Sequence, residues 1–87
     1  MHDSLLLHKI AAAFGKICEE NNLAKVKETI ILVSYNSHIE SKDLHEHLLE
    51  IIPERIDNST IINIKKADIE DQTAVIYMLK GEGTDAN

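Results

Sequence analysis

The sequence predicts an α+β fold in two layers, with two helices packed on one face of a small mixed β-sheet of three to four strands. Two stretches repeat apolar residues at three- and four-residue steps, and three stretches are rich in β-branched residues. The chain has 87 residues, enough for one hydrophobic core but too few for two. A strand–helix–strand step favours a parallel pair with the helix lying across one face. The element order therefore leaves the opposite face partly open.

In the first helix, Leu6, Leu7, Ile10, Phe14, Ile17 and Cys18 form the apolar stripe, with Lys9, Lys16, Glu19 and Glu20 between them. This spacing predicts an amphipathic helix of about 17 residues. Asp3 or Ser4 can cap its start, and Asn21-Asn22 suit its end. Gly15 inside it costs about 1 kcal/mol relative to alanine, which predicts close approach of another element.

Val26 to Tyr35 changes period, and its unbroken apolar centre, Thr29 to Val33, predicts a strand inside the sheet rather than at an edge. Ser34, Asn36 and Ser37 supply turn chemistry. A second helix follows from Ser41 to Ile52, with Leu44, Leu48, Ile51 and Ile52 inward, Ser41 as its cap, and Asp43 where the dipole favours a negative charge. Pro53 falls at or just past its end.

Thr60 to Ile69 alternates, with Ile62 and Ile64 on one side and Ile61, Asn63 and Lys65 on the other. Glu70-Asp71-Gln72 form a polar connection to a last strand, Thr73 to Leu79, and the two are expected to pair as a hairpin. A short strand at the chain start would complete the sheet. Residues 1–80 are expected to form a single domain, and 81–87, poor in apolar surface, a flexible tail.

Fifteen acids against nine bases give a formal charge of -6, which repels phosphate backbones. With one Phe, two Tyr and no Trp there is no base-stacking platform, so nucleic acid is not an expected partner. No run approaches the roughly 20 apolar residues that span a bilayer. Met1-His2-Asp3 offers no basic region of a signal peptide, and Cys18 stands alone, so a cytoplasmic location and no membrane partner are expected. Neither a phosphate loop, nor a nucleophile elbow, nor a His-Glu-x-x-His helix occurs, and the chain does not read as an enzyme.

Three groups of residues could ligate a metal: His2 with Asp3, His38 with Glu40, and Asp43 with His45, Glu46 and His47. In the first, the Met1 amine, a deprotonatable amide and the His2 imidazole lie close enough to chelate one ion, and such nitrogen donors suit nickel, copper or zinc better than calcium or magnesium. His38 and Glu40 fall in the loop before the second helix and are the nearest candidates for a further donor. In the third group, His45 and His47 are two apart on a helix and point away from each other, whereas Asp43 and His47 share a face. That segment reads best as a solvated helix face. His8 reads as a surface histidine on the polar flank of its helix.

The start Met1-His2-Asp3, followed by the Leu6–Cys18 helix, Val26–Ser34, the Ser37–Asp43 turn, the Leu44–Ile52 helix and Ile61–Ile64, resembles the HypA/HybF family of hydrogenase nickel-incorporation proteins. Chains of that family begin Met-His-Glu and run into an amphipathic helix. The resemblance implies a nickel-binding metallochaperone, or accessory protein, for maturation of a nickel enzyme such as hydrogenase. His2 would be the essential ligand for nickel(II), with the Met1 amine and Asp3 beside it. The implied partners are nickel-enzyme maturation proteins or the apo-enzyme, with a homo-oligomer possible.

Two departures qualify the likeness. Asp3 stands where the family has Glu, keeping a carboxylate on a shorter arm. The family's zinc module, with two Cys-x-x-Cys motifs between the last two strands, is replaced by Glu70-Asp71-Gln72, and Cys18 cannot supply four thiolates, so no structural zinc is expected. The alternative function is a degenerate HypA-like domain that acts as an interaction or oligomerisation module without metal.

Overall fold

A computed structural model describes residues 4–83. Met1, His2 and Asp3, and with them the expected terminal strand, lie outside the described residues, as do positions 84–87. The elements run α1 (Ser4–Glu20), β1 (Leu23–Ser34), α2 (Ser41–Ile51), β2 (Ile61–Ala67) and β3 (Ala74–Gly83). They form the expected α+β fold, a three-stranded mixed sheet with its core between sheet and helices.

The strand order is β2-β1-β3, with β1 parallel to β2 and antiparallel to β3. The central place predicted for the Val26–Tyr35 segment holds. The hairpin expected between the last two strands does not form: β3 crosses to the far edge of β1 and pairs there from Leu23↔Gly83 to Val33↔Ala74. The physical reason is the apolar character of β1. Thr29, Ile31 and Val33 are fully buried, so both edges of this strand need a hydrogen-bonding partner. With α2 carrying the chain into the parallel place at one edge, the other edge is left to β3.

Because β1 starts three residues earlier than expected, at Leu23, it offers backbone partners to Gly81, Glu82 and Gly83. These three residues belong to β3, which corrects the expectation of a flexible tail from 81. Register shifts between Leu23 and Lys25, between Val26 and Glu28, and between Ile30 and Ile31 mark bulges. The second changes the phase of burial, so that Val26 and then Thr29, Ile31 and Val33 all face inward despite the odd first step.

Before β2 begins, the loop 53–60 covers the edge of β1. The Val26 N–H donates to the Arg55 carbonyl at 2.8 Å, and the Val26 carbonyl accepts from the Thr60 hydroxyl at 2.8 Å. The Arg55 guanidinium donates to the Leu23 carbonyl, and Lys25 pairs with Asp57 at 3.1 Å. The loop thus takes the place of an extended β2.

Leu6, Ile10, Ala11, Phe14 and Cys18 from α1 meet Leu44 and Leu48 from α2 above the sheet, joined by Ile39, Ile52, Ile56 and Ile62. Cys18 is a small buried apolar residue whose thiol burial pushes upward in pKa, with Arg55 opposing. At the end of α1, Asn21 donates its backbone and side-chain N–H to the Ile17 carbonyl, and Asn22 takes a left-handed φ of 55°. The start of α2 differs from expectation. Glu40, not Ser41, holds the N-cap position, and its side chain makes no capping hydrogen bond. The open sheet face carries Ile61, Val75 and Tyr77, each well exposed.

Gly15 does not mark a close approach: a methyl group built there meets nothing within 4 Å. A Cβ at Gly81, in contrast, would overlap the Lys25 carbonyl oxygen across the bulged pair. Gly15→Ala should therefore raise unfolding stability by about 0.5–1 kcal/mol. Gly81→Ala should lower it by about 1–3 kcal/mol through overpacking. Urea denaturation followed by circular dichroism measures both, and equal effects of the two substitutions would contradict this assignment.

Candidate metal centre

Of the five residues expected to bind nickel, Met1, His2 and Asp3 lie outside the described residues. What can be described is the ground they stand on. Ser4 opens α1, and two residues later the buried Leu6 fixes the first turn into the core. Met1, His2 and Asp3 directly precede this helix in the chain.

Beside Leu6 lies a small recess of about 70 Å³, lined also by Ser34, Asn36, Ser37, Asp71 and Gln72. It forms where β1 ends and the chain turns toward α2. The Ser34 hydroxyl donates to the Asp71 carboxylate at 2.5 Å, and the Asn36 amide donates to both oxygens of Asp71 at 3.2 and 3.3 Å. Gln72, with φ of 64°, holds the turn that presents Asp71. The polar connection Glu70-Asp71-Gln72 is thus a strut between the β2–β3 loop and the end of β1. Sequence reasoning saw only a polar linker there, because nothing in the local pattern says which distant hydroxyl an aspartate will meet.

His38 and Glu40 are both exposed, on the loop that leaves this recess. The first turn of α1 and the Ser34–Ser37 end of β1 line one cavity, and His38 directly follows Ser37. The Lys66 ammonium donates to the Ser37 carbonyl, and the Ser37 hydroxyl accepts from the Ile39 N–H at 3.3 Å, fixing the loop on either side of His38. Among the described residues, no three His, Cys, Asp or Glu side chains form a group that could hold a metal ion. His38 and Glu40 do not make a centre by themselves.

The histidines of α2 diverge as their spacing predicts. His45 Nε2 lies 2.9 Å from the Asp57 carbonyl, to which it must donate, whereas His47 turns to α1 and meets His8. The contact between His8 and His47 was not legible in the sequence, since the two are 39 positions apart and join only through helix packing.

No protein-family model matches the chain, and no curated protein matches it either.

Asp57 sits near the start of β1, at the other end of that strand from the recess, where it pairs with Lys25. Its carboxylate accepts from the Ser59 hydroxyl at 2.6 Å, from Lys25 at 3.1 Å and from the Ser59 N–H at 2.8 Å. These bonds hold its pKa well below the usual carboxylate range, the Ser59 hydroxyl first among them. A depressed folded-state pKa gives stability that is present above the unfolded value, about 3.9, and lost as pH falls toward the folded one. Asp57→Asn should flatten the acid limb of the stability curve below about pH 4 while leaving its neutral-to-alkaline shape unchanged. Urea midpoints between pH 2 and 7 would measure this, and parallel acid limbs in the two proteins would refute it.

Proposed function

We propose that the protein is a nickel-binding accessory protein that carries the ion toward a nickel enzyme under maturation. The Met1 amine, the His2 imidazole and Asp3 form the chelate, and His38 or Glu40 supplies a further donor. The observation that carries this reading is the shared recess: the helix that directly follows the tripeptide and the strand end that leads into His38 line one cavity. The donor set supports it, because amine, amide and imidazole nitrogens suit nickel(II). So do the Met-His-acid start and the order of elements that prompted the likeness to the HypA/HybF proteins. The implied partner is the maturation machinery or the apo-enzyme itself, within the cytoplasm. The role is transport, not catalysis.

A second reading has its own support in the open sheet face. Ile61, Val75 and Tyr77 are exposed on strands whose other sides build the core, which suits a domain that associates with a protein without metal. Sizing at several concentrations separates the two: association independent of nickel favours this second reading.

Untagged wild-type protein should bind nickel(II), and His2→Ala should weaken binding by roughly tenfold or more, as loss of a ligand demands. Binding should also weaken below about pH 6, since imidazole must lose its proton to ligate. Calorimetric titration at pH 7.5 and 5.5 with an authentic N-terminus measures both effects, and equal affinity of wild type and His2→Ala would remove the proposal.

A further inference from the structure

The sheet ends in two unpaired edges that differ in kind. Among the described residues, the order β2-β1-β3 leaves the outer side of β2 and the outer side of β3 without a strand partner. An open edge is a row of backbone donors and acceptors that another extended chain can join, and proteins guard it with charge, above all with lysine. β2 carries such a guard in Lys65 and Lys66, both exposed. β3 does not. From Ala74 to Leu79 it has no charge, no proline and no glycine, and Val75, Ile76 and Tyr77 favour an extended chain.

The core is also unfinished at this edge. Between α1 and β3 lies a recess of about 250 Å³, walled by Leu6, Ile10 and Ala13 from the helix and by Ala74 and Ile76 from the strand, with the exposed Lys9 beside them. Ala74, Ile76 and Leu79 pack against the core yet stay only partly buried, whereas Ile31 and Val33 on the neighbouring strand are sealed completely. What these side chains lack is a neighbour on the outer side of β3. A strand added there would place alternate residues on the helix side, over the recess.

We propose that the strand added there is β3 of a second copy of this chain, paired antiparallel about a two-fold axis to make one sheet of order β2-β1-β3-β3-β1-β2. The face pattern of β3 suits its own copy. Because β1 passes Tyr77 over as a bulge, Ala74, Ile76 and Leu79 all stand opposite the inward Val33, Ile31 and Thr29, and Val75 and Met78 opposite Leu32 and Ile30 on the other face. The run therefore alternates symmetrically about Ile76, and reads the same in both directions. An axis beside Ile76 sets inward Ala74 against the copy's inward Leu79 and outward Val75 against its outward Met78, as a self-complementary contact requires. Both helical layers stay on one face, and the two recesses meet across the seam. Charge agrees: only uncharged side chains come opposite one another along this run, whereas the same pairing of β2 would oppose lysines to lysines. Met1–Asp3 and 84–87 are too short to line the ten residues of β3. This inference rests on the second reading above, association without metal, and gives it an edge and a partner.

Sedimentation of the untagged full chain, in the presence of a chelator and over a range of concentrations, should show a species of twice the chain mass. Tyr77→Lys, at a residue 68% exposed beside the axis, should weaken that dimer by roughly tenfold or more, since symmetry sets the new charge at the seam twice. Ile61→Lys, on the open face but on β2, should leave it unchanged. Val75→Lys decides the matter if circular dichroism shows that Tyr77→Lys disturbs the fold. Backbone amides of 74–79 should exchange more slowly in the dimer than in the dilute chain. A chain that stays monomeric overturns the proposal and removes self-association from the second reading as well. Association that Ile61→Lys weakens as much as Tyr77→Lys, or that leaves the exchange of 74–79 unchanged, overturns the edge contact while leaving that reading in place.

Discussion

The fold depends on one strand being satisfied on both edges and on one face. β1 carries Thr29, Ile31 and Val33 into complete burial, where no water can replace a missing hydrogen bond. Even its polar member is accounted for, as the Thr29 hydroxyl donates to the Met78 carbonyl at 2.7 Å. The parallel neighbour, the antiparallel neighbour and the loop 53–60 are three answers to the same demand, each covering a different length of β1. Where β1 ends, the demand ends, and the chain turns into the loop that carries His38 and Glu40, each exposed beside the buried Ser37 and Ile39.

This explains which parts of the architecture could be read from the linear pattern. Helices α1 and α2 follow from the spacing of Leu6, Ile10 and Phe14 and of Leu44 and Leu48, because a helix buries its stripe whatever its neighbours are. The alternation of Ile62 and Ile64 against Ile61 and Asn63 likewise set the faces of β2. The partner of β3 could not be read this way. A short polar connection favours a hairpin, and only the unmet edge of β1, a property of the whole sheet, overrides it. Gly15 misled for a related reason: glycine in a helix signals close approach only when a neighbour is there, and the space beside it is open.

The candidate sites divide along the same line. Donor type is legible from single residues, so the Met1-His2-Asp3 tripeptide and the loop candidates His38 and Glu40 stand out without coordinates. Convergence is not legible. Asp71 reaches Ser34 and Asn36 across 37 and 35 positions, and His8 meets His47 across the helix interface. Their neighbours are chosen by packing, which sequence spacing does not encode beyond a turn or two.

A carrier of metal ions, the role proposed for this chain, would have to hold its cargo firmly enough to exclude water's competition and loosely enough to surrender it. Leu6 anchors the first turn of α1, so the helix that follows the proposed donors in the chain is held by the core whether or not an ion is bound. In the proposed role, three donors from one short segment would leave coordination positions open, through which a receiving protein could insert its own ligand before the first ones let go. A fully closed four-ligand cage, of the kind that holds structural zinc, lacks that route. In the proposed role, then, the rigidity belongs in the helix and sheet, while the proposed ligands belong to a short segment ahead of them.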